Sequence, residues 1–200
     1  GVFPYAADVH LDAEDTLALD TRPRSHPPPG ARVAIVRLPH LSNATDFRCL
    51  TWAEWITSPS PDRYDFIVLP GSKSTIADLC WLRDAGLADW IVGQHRRGAS
   101  VIGICGGFQM LGRGVTDPAG VESGAASGDG LCLLPVTTTL TATKRTRAVR
   151  ARTAGGVTFA GYEIHVGVTT VDPGVGAVPF ATLDDGSRDG LRQGRGVGTY

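Results

Sequence analysis

The 200-residue sequence lacks the features that mark several common functional classes. No apolar stretch approaches the ~20 residues that span a bilayer, and no basic segment followed by a long apolar one opens the chain. Neither sign of charge collects into a long run and the formal net charge is −1, which gives no electrostatic case for nucleic acid or for an anionic membrane. We therefore expect a cytoplasmic protein whose partners are small molecules or other proteins.

The sequence also lacks the cysteine and histidine spacings of zinc sites and of disulfide frameworks. Its four cysteines, Cys49, Cys80, Cys105 and Cys132, are scattered along the chain, so we expect no metal site. Cys80 and Cys132 have leucine neighbours, and a small thiol in such a context is typically buried in a core. We expect these two and Cys49 to fill space, which leaves Cys105.

The first 30 residues differ in character from the rest of the chain. An acidic stretch at 11–17 leads to the run Pro27-Pro28-Pro29-Gly30, and a proline run of this kind is typical of a linker. We expect residues 1–30 to be the remnant of an upstream domain with its linker. Residues 31–200 are long enough for one sizeable core, and we expect them to form the main domain.

Alternating apolar and helical segments predict the fold of this domain. Strands are predicted at 32–38, 64–69 and 101–104, helices at 76–79 and 87–92, and residues 51–56 are too short to assign. This rhythm is typical of a flavodoxin-like, doubly wound and mostly parallel α/β sheet, which binds ligands at the carboxyl ends of its strands. β-branched runs within 131–171 predict an added region of antiparallel strands that covers one side of the site.

In the run from Val101 to Leu111 an apolar predicted strand leads to Cys105, and a helix-forming segment follows it. Glycines lie on both sides of the cysteine. This pattern is typical of a nucleophile elbow, a strained turn that projects the reactive atom above the sheet. The backbone N–H of Gly106 would supply half of an oxyanion hole, and Gly71 and Ser72, at the end of another strand, could present a second N–H. A buried structural thiol is the alternative, which the flanking glycines disfavour.

Three other positions are candidates with weaker signals. Gln109, one helical turn past the cysteine, could brace the site or only bond to backbone. His165 lies on a predicted strand beside glycines, and a lone strand histidine is more often structural than catalytic. The segment 73–75 lacks the upstream glycine spacing of a phosphate loop, which disfavours nucleotide binding.

Together these motifs resemble the class I (triad type) glutamine amidotransferases, whose nucleophile turn reads Gly-x-Cys-x-Gly-x-Gln, here Gly103 to Gln109. Within that class the sequence is most similar to the glutaminase domain of the cobyric acid synthase family. The similarity rests on segments 41–47, 69–75, 103–112, 117–123 and 161–167. Residues 1–17 look like the end of that family's ATP-dependent synthetase domain, followed by its linker.

The resemblance implies that Cys105 forms a thioester with glutamine, that Gly106 and the Gly71–Ser72 peptide donate to the oxyanion, and that Gln109 lies near the bound glutamine. His165 would be structural or would position the substrate. The upstream domain would use ATP and magnesium to activate corrinoid carboxylates for amidation in cobalamin biosynthesis, and no cofactor is implied for the glutaminase domain itself.

In this family the catalytic histidine follows a Gly-Thr-Tyr-x-His-Gly motif, and the sequence ends at Gly198-Thr199-Tyr200. We therefore expect the domain to continue past Tyr200 to its base, and we expect residues 1–200 alone to hydrolyse glutamine slowly or not at all. Three alternatives stay open: a non-catalytic partner-binding module, a related corrinoid or cell-wall amidotransferase subunit, and a cysteine hydrolase, because fold and elbow alone do not fix the substrate.

Overall fold

A computed structural model of the protein describes residues 30–122 and 124–200. The expected upstream remnant and linker therefore lie outside the described residues, apart from Gly30. The strands are β1 (Val33–Val36), β2 (Glu54–Ile56), β3 (Phe66–Leu69), β4 (Ser100–Ile104), β5 (Gly114–Thr116), β6 (Ser127–Asp129), β7 (Val136–Thr153), β8 (Thr158–Val171), β9 (Ala181–Leu183), β10 (Arg188–Asp189), β11 (Leu191–Gln193) and β12 (Gly196–Thr199). The helices are α1 (Thr75–Asp84), α2 (Leu87–Arg96) and α3 (Gly106–Leu111), with a 3-10 helix at Ala44–Leu50.

The first sheet has the strand order β11-β12-β4-β3-β1-β2, and only β11 runs antiparallel to its neighbour. This confirms the predicted mostly parallel α/β sheet. The unassigned segment 51–56 supplies β2, a three-residue edge strand that pairs with β1. β4, which leads into Cys105, lies in the interior of the sheet between β3 and β12.

Each face of this sheet is covered by a different layer. All four residues of β1 are buried, because its alternate side chains enter two separate apolar clusters. Ala34 and Val36 pack with leucines and isoleucines of α1 and α2, whereas Val33 and Ile35 pack with Phe47 of the 3-10 helix. No helix among the described residues is long and apolar enough to cross a membrane.

The second sheet has the order β10-β9-β7-β5-β6, and β8 pairs with β7 as a long antiparallel hairpin. The hairpin confirms the antiparallel strands predicted within 131–171, although the first strand begins only at Val136. A bulge interrupts it: four residues of β7, 140–143, lie opposite the single residue Gly167 of β8. Gly167 has φ +92°, and a Cβ there would lie 2.8 Å from the Thr139 carbonyl oxygen, so the bulge requires glycine.

The expectation that three of the cysteines fill space is wrong, because Cys49, Cys80 and Cys132 are all exposed. On α1 the buried side chains include Leu79 and Leu82, which face the sheet, and Cys80 faces solvent. Cys132 has φ 55°, and this left-handed turn leaves its side chain outside while its leucine neighbours are buried or half-buried. Apolar neighbours in sequence therefore did not indicate on which face of the backbone each thiol lies.

Candidate active site

Cys105 lies directly after β4, where the carboxyl ends of three parallel strands meet. Gly103 of β4 pairs with Leu69 of β3, and Ile104 pairs with Thr199 of β12. The Cys105 backbone N–H donates a 2.8 Å hydrogen bond to the Thr199 carbonyl oxygen, which anchors the turn to β12. The backbone of Cys105 has φ 52° and ψ −112°, a strained conformation that non-glycine residues rarely adopt.

The glycines around Cys105 allow this turn to pack directly against neighbouring backbone. A Cβ on Gly103 would lie 2.5 Å from the Gly107 carbonyl oxygen, and a Cβ on Gly107 would lie 1.9 Å from the Leu69 carbonyl oxygen. A Cβ on Gly106 would lie 2.9 Å from the Ser72 backbone nitrogen. Any side chain at these positions would push α3 away from the end of β3.

The Gly71–Ser72 peptide, at the end of β3, therefore lies beside the first residue of α3. The Cβ position of Gly71 is 3.7 Å from the Cys105 Cβ, and the Ser72 nitrogen is close to Gly106. Two backbone N–H groups, those of Ser72 and Gly106, are thus brought together next to the cysteine. Paired backbone donors of this kind can stabilise the negative oxygen of a tetrahedral intermediate.

The loop that carries Ser72 is held by a buried carboxylate on α1, that of Asp78. The Ser72 hydroxyl donates a 2.6 Å hydrogen bond to Asp78 Oδ2, and the His40 Nδ1 lies 2.8 Å from Asp78 Oδ1. The Asp78 side chain is fully buried. Ser72 Oγ also accepts a 2.9 Å hydrogen bond from the Ser74 N–H, so its hydroxyl is fixed on two sides.

A second carboxylate, Glu122, fixes the start of α1. Its two oxygens accept hydrogen bonds of 2.8 and 3.0 Å from the backbone N–H groups of Thr75 and Ile76. Asp117 in turn accepts 2.8 Å hydrogen bonds from the N–H groups of Val121 and Glu122. These contacts satisfy N–H groups that have no partner within the helix, and they tie the 117–122 loop to the same end of the sheet.

The Cys105 thiol is close to β8 and is held in its neutral form. Its sulfur donates a 3.1 Å hydrogen bond to the Ile164 carbonyl oxygen. Burial raises the pKa of the Cys105 thiol, and the Gly106 N–H and the positive charge of Lys144 offset only part of this rise. A nucleophilic thiolate at neutral pH therefore needs a base that accepts the proton.

Gln109 on α3 is buried and uses its amide within the protein. Its nitrogen donates to the Val166 carbonyl oxygen at 2.9 Å and to the Tyr200 hydroxyl at 3.3 Å. Its oxygen accepts a 3.3 Å hydrogen bond from the Thr75 hydroxyl. Both amide hydrogens thus have partners, and the side chain braces α3 against α1, β8 and Tyr200.

The ring of His165 lies between Tyr200 and Glu163. The two rings are stacked with centroids 3.7 Å apart, and His165 Nε2 is 3.0 Å from Glu163 Oε1. The Nδ1 atom is buried and has no hydrogen-bond partner among the described residues. His165 therefore supports the ring of Tyr200, which in turn contacts Gln109.

Glu163 is the centre of this cluster on β7 and β8. Burial raises the pKa of Glu163, but hydrogen bonds from Arg147, His165 and Arg145 outweigh that effect and hold the pKa below its usual value. Arg145 Nη1 is 3.1 Å from the carboxylate. The hairpin therefore holds an ionised carboxylate that is paired with Arg145, Arg147 and His165.

The structure thus gathers Cys105, Gly106, Gly71, Ser72 and Gln109 in one place. The side chain of His165 contacts Tyr200 and Glu163, and the chain neighbours of His165 accept hydrogen bonds from Cys105 and Gln109. Several contributors have weak or no sequence signals. They are Asp78, Glu122, Lys144, Tyr200 and the carbonyl groups of residues 164 and 166. The two carbonyl groups belong to the segment 161–167, which the sequence analysis singled out. The residue type does not reveal the role of a backbone carbonyl group, because every residue has one.

The site combines a cysteine in a strained turn, at the end of an interior parallel strand, with backbone donors from two neighbouring segments. This combination defines a domain of the class I glutamine amidotransferase type. Residues 32–200 match the CobB/CobQ-like glutamine amidotransferase domain, and the chain belongs to that family.

Curated relatives are consistent with this assignment. The chain is 42% identical over 197 residues to the cobyric acid synthase of Phocaeicola vulgatus, which covers 95% of this chain and 40% of the relative. It is 42% identical over 212 residues to the cobyric acid synthase of Rhodococcus jostii, covering 100% of this chain and 40% of the relative. The chain therefore spans about 40% of the length of these relatives.

Solved structures share the fold at low sequence identity. One glutamine amidotransferase superimposes with a TM-score of 0.62 at 18% identity, covering 84% of this chain and 87% of that one. A glutamine amidotransferase from Thermotoga maritima gives a TM-score of 0.54 at 15% identity, with 84% and 74% of the two chains covered.

Proposed function

We propose that this domain is the ammonia-producing glutaminase of a cobyric acid synthase. It hydrolyses glutamine through a thioester on Cys105, and the ammonia amidates side-chain carboxylates of a corrinoid in cobalamin biosynthesis. The observation that carries the glutaminase assignment is Cys105 in its strained turn, with the Ser72 and Gly106 N–H groups beside it. The corrinoid assignment rests on the curated relatives alone.

In the first step the Cys105 sulfur attacks the side-chain carbonyl carbon of glutamine, and a C–S bond forms as the carbonyl π electrons move to oxygen. The Ser72 and Gly106 N–H groups stabilise that oxyanion. Collapse of the intermediate breaks the C–N bond, and the nitrogen leaves as ammonia with the proton that the thiol gave to the base. Water then attacks the thioester, so that glutamate leaves and the thiol is restored.

The proton carrier is proposed to be a histidine that follows Tyr200. The supporting geometry is the pairing of β12 with β4, which brings Thr199 to the backbone of Cys105. Residues that continue from the end of β12 start at the same edge of the sheet as the thiol. His165 is not assigned this role, because its ring is stacked on Tyr200 and bonded to Glu163.

The other half of the reaction is proposed to belong to an upstream synthetase domain. That domain would bind ATP, magnesium and the corrinoid, and it would activate the carboxylates that accept ammonia. The support is the similarity to cobyric acid synthases of which this chain spans about 40%. For the glutaminase domain we propose glutamine as substrate and no cofactor, because the thioester route needs only a thiol, backbone donors and a base.

The test uses the full-length protein with Cys105→Ala, assayed for corrinoid amidation with glutamine or with ammonium as nitrogen donor. We expect the variant to lose glutamine-dependent amidation and to keep ammonium-dependent amidation. Cys80→Ala, which removes an exposed thiol, is the matched control and should keep both activities. Glutamine-dependent amidation by Cys105→Ala would overturn the assignment of the nucleophile.

The same assay separates the alternatives. A non-catalytic module would show no glutamine hydrolysis in either protein, and a cysteine hydrolase would cleave other amides without supplying ammonia to a corrinoid. A related cell-wall amidotransferase subunit would consume glutamine but would leave the corrinoid unchanged.

A further inference from the structure

Asp189 lies at the point where the chain passes from the second sheet to the first. It ends β10, which pairs with β9 in the second sheet, and after Gly190 the chain enters β11, which pairs with β12 in the first sheet. The crossing is tight, because a Cβ on Gly190 would lie 2.1 Å from the Gly198 carbonyl oxygen. This crossing places the Asp189 side chain at the end of β12.

The Asp189 carboxylate binds the end of β12 and the residue after it. Its Oδ2 accepts a hydrogen bond from the Thr199 hydroxyl, and its Oδ1 accepts one of 3.3 Å from the Tyr200 backbone N–H. The Thr199 carbonyl oxygen accepts the 2.8 Å hydrogen bond from the Cys105 N–H. Thr199 thus contacts both the carboxylate of Asp189 and the turn that carries the nucleophile.

The carboxylate of Asp189 is buried without a cation. The residue is 9% exposed, and no ion pair is seen for it within residues 30–122 and 124–200. Burial raises the pKa of Asp189, and hydrogen bonds from Thr199 and Tyr200 offset only part of this rise. A buried acid without a cation costs free energy, and beside a candidate active site it is a candidate for a functional role.

We propose that Asp189 is the positioning residue that holds the end of β12 against the nucleophile turn. The inference rests on the proposed glutaminase function. Cys105 has a strained backbone, with φ 52° and ψ −112°, and such a conformation persists only where the surrounding structure fixes it. Glycine packing fixes the turn against the end of β3, and Thr199, bound by Asp189, fixes it against β12.

The same contacts connect the two sheets across the candidate site. The second sheet contains Asp189, and its strand β8 places the Ile164 carbonyl oxygen at the Cys105 sulfur. Tyr200, whose N–H binds Asp189, also stacks on His165 of β8. Without the carboxylate, the end of β12 would lose a bond to the second sheet, and so would the chain that leads to the proposed base. A displacement of about 1 Å at a reacting group can cost about 100-fold in rate.

The test measures glutamine hydrolysis by the full-length protein as wild type, Asp189→Ala, Thr199→Val and the double variant. Asp189→Ala removes the acceptor, and Thr199→Val removes the donor hydroxyl but keeps a β-branched side chain. Rates are expressed per folded protein, measured by circular dichroism. We expect Asp189→Ala to lower kcat by about tenfold or more and to change KM by less than about threefold.

The two single variants report on one hydrogen bond from its two sides. Thr199→Val should also lower kcat and not KM, and the double variant should have the kcat of Asp189→Ala, because groups that act through one bond have non-additive effects. Asp189→Asn should keep at least about a third of the wild-type kcat, since its oxygen accepts from the Tyr200 N–H and its amide nitrogen donates to the Thr199 hydroxyl.

Asp184→Ala and Thr182→Val are the matched controls, because both residues are exposed, Thr182 on β9 and Asp184 directly after it. Both variants should have the kcat and KM of wild type.

Several outcomes would overturn the inference while the proposed function stands. They are an unchanged kcat per folded Asp189→Ala protein, a loss confined to KM, and a double variant whose loss is the product of the two single losses. A kcat for Asp189→Asn as low as that of Asp189→Ala would also overturn it, since the effect would then arise from charge. If Asp189→Ala does not fold, Thr199→Val decides alone, and a kcat equal to that of wild type would overturn the inference. If wild type shows no glutamine hydrolysis that depends on Cys105, the proposed function itself fails and the inference falls with it.

Discussion

The Ser72 hydroxyl donates a 2.6 Å hydrogen bond to the carboxylate of Asp78, whose side chain is fully buried. Ser72 carries one of the two proposed oxyanion donors at the end of β3, and Asp78 belongs to α1. The same carboxylate contacts the imidazole of His40 at 2.8 Å. The position of the Ser72 N–H is therefore fixed by the sheet and also by a helix whose start is itself held by Glu122.

We predict that Asp78→Asn moves the Ser72 loop and lowers glutaminase kcat more than it changes KM. An amide has one acceptor oxygen where the carboxylate has two, so either Ser72 or His40 loses its partner, at a cost of about 1–3 kcal/mol in unfolding free energy. A displaced oxyanion donor costs about 100-fold in kcat when it is lost entirely. Steady-state kinetics and urea unfolding in the full-length protein measure both effects.

Asp84→Asn is the control for this prediction, because Asp84 is exposed at the end of the same helix. It should leave kcat and stability unchanged. Equal kinetics for the two variants would contradict a positioning role for Asp78.

Much of the fold was predictable from the sequence, because the elements that surround Cys105 follow local rules. The buried strands before Pro70 and Cys105 are short apolar runs that end in glycine-rich turns, and parallel strands of this kind place their carboxyl ends together. The positions of Gly71, Ser72, Gly106 and Gln109 followed from this arrangement.

The supporting residues were not predictable, because their roles depend on contacts between distant segments. Asp78 reads as an ordinary acid in the first turn of a helix, and only the folded chain shows that it faces Ser72 and His40. Lys144 lies opposite Val166 because of a bulge, and a bulge is set by the pairing of two strands. The predicted burial of Cys80 and Cys132 was wrong for the same reason, because burial depends on which face of an element the fold covers.

We predict that Gly107→Ala prevents the elbow from closing. The new Cβ would lie 1.9 Å from the Leu69 carbonyl oxygen, and both groups belong to backbone that cannot rotate away. We expect a loss of about 3 kcal/mol or more in unfolding free energy, at or above the upper end of overpacking effects. Gly176→Ala, where a Cβ meets nothing within 4 Å, is the control in thermal unfolding and should melt as wild type. A Gly107→Ala protein as stable as this control would contradict the packing.

We predict that the thiol of Cys105 reacts with iodoacetamide more slowly than that of Cys80 at pH 7.5. Burial raises the pKa of the Cys105 thiol, so a smaller fraction is ionised at this pH. The labelling rate of Cys105 should therefore keep rising with pH after that of an exposed thiol has levelled off. Mass spectrometry of the chain of residues 1–200, labelled between pH 7 and pH 10, gives both rates. A Cys105 labelling rate that stops rising below the ordinary thiol pKa of about 8.5 would contradict this prediction.

We predict that Glu163→Gln destabilises the protein at neutral pH and that the difference disappears in acid. Hydrogen bonds from Arg147, His165 and Arg145 outweigh burial and lower the pKa of Glu163 in the folded state. The ionised carboxylate therefore contributes stability above the unfolded pKa of about 4.3, and this contribution is lost as the pH falls through the lower folded pKa. We expect Glu163→Gln to lower the free energy of unfolding by about 1–3 kcal/mol at pH 7, because the arginines and His165 lose a charged acceptor.

Urea unfolding of wild type and variant between pH 7 and pH 3 measures the difference, which should shrink steadily below pH 4. A difference that stays constant over this range would show that the loss arises from packing and not from the charge of Glu163.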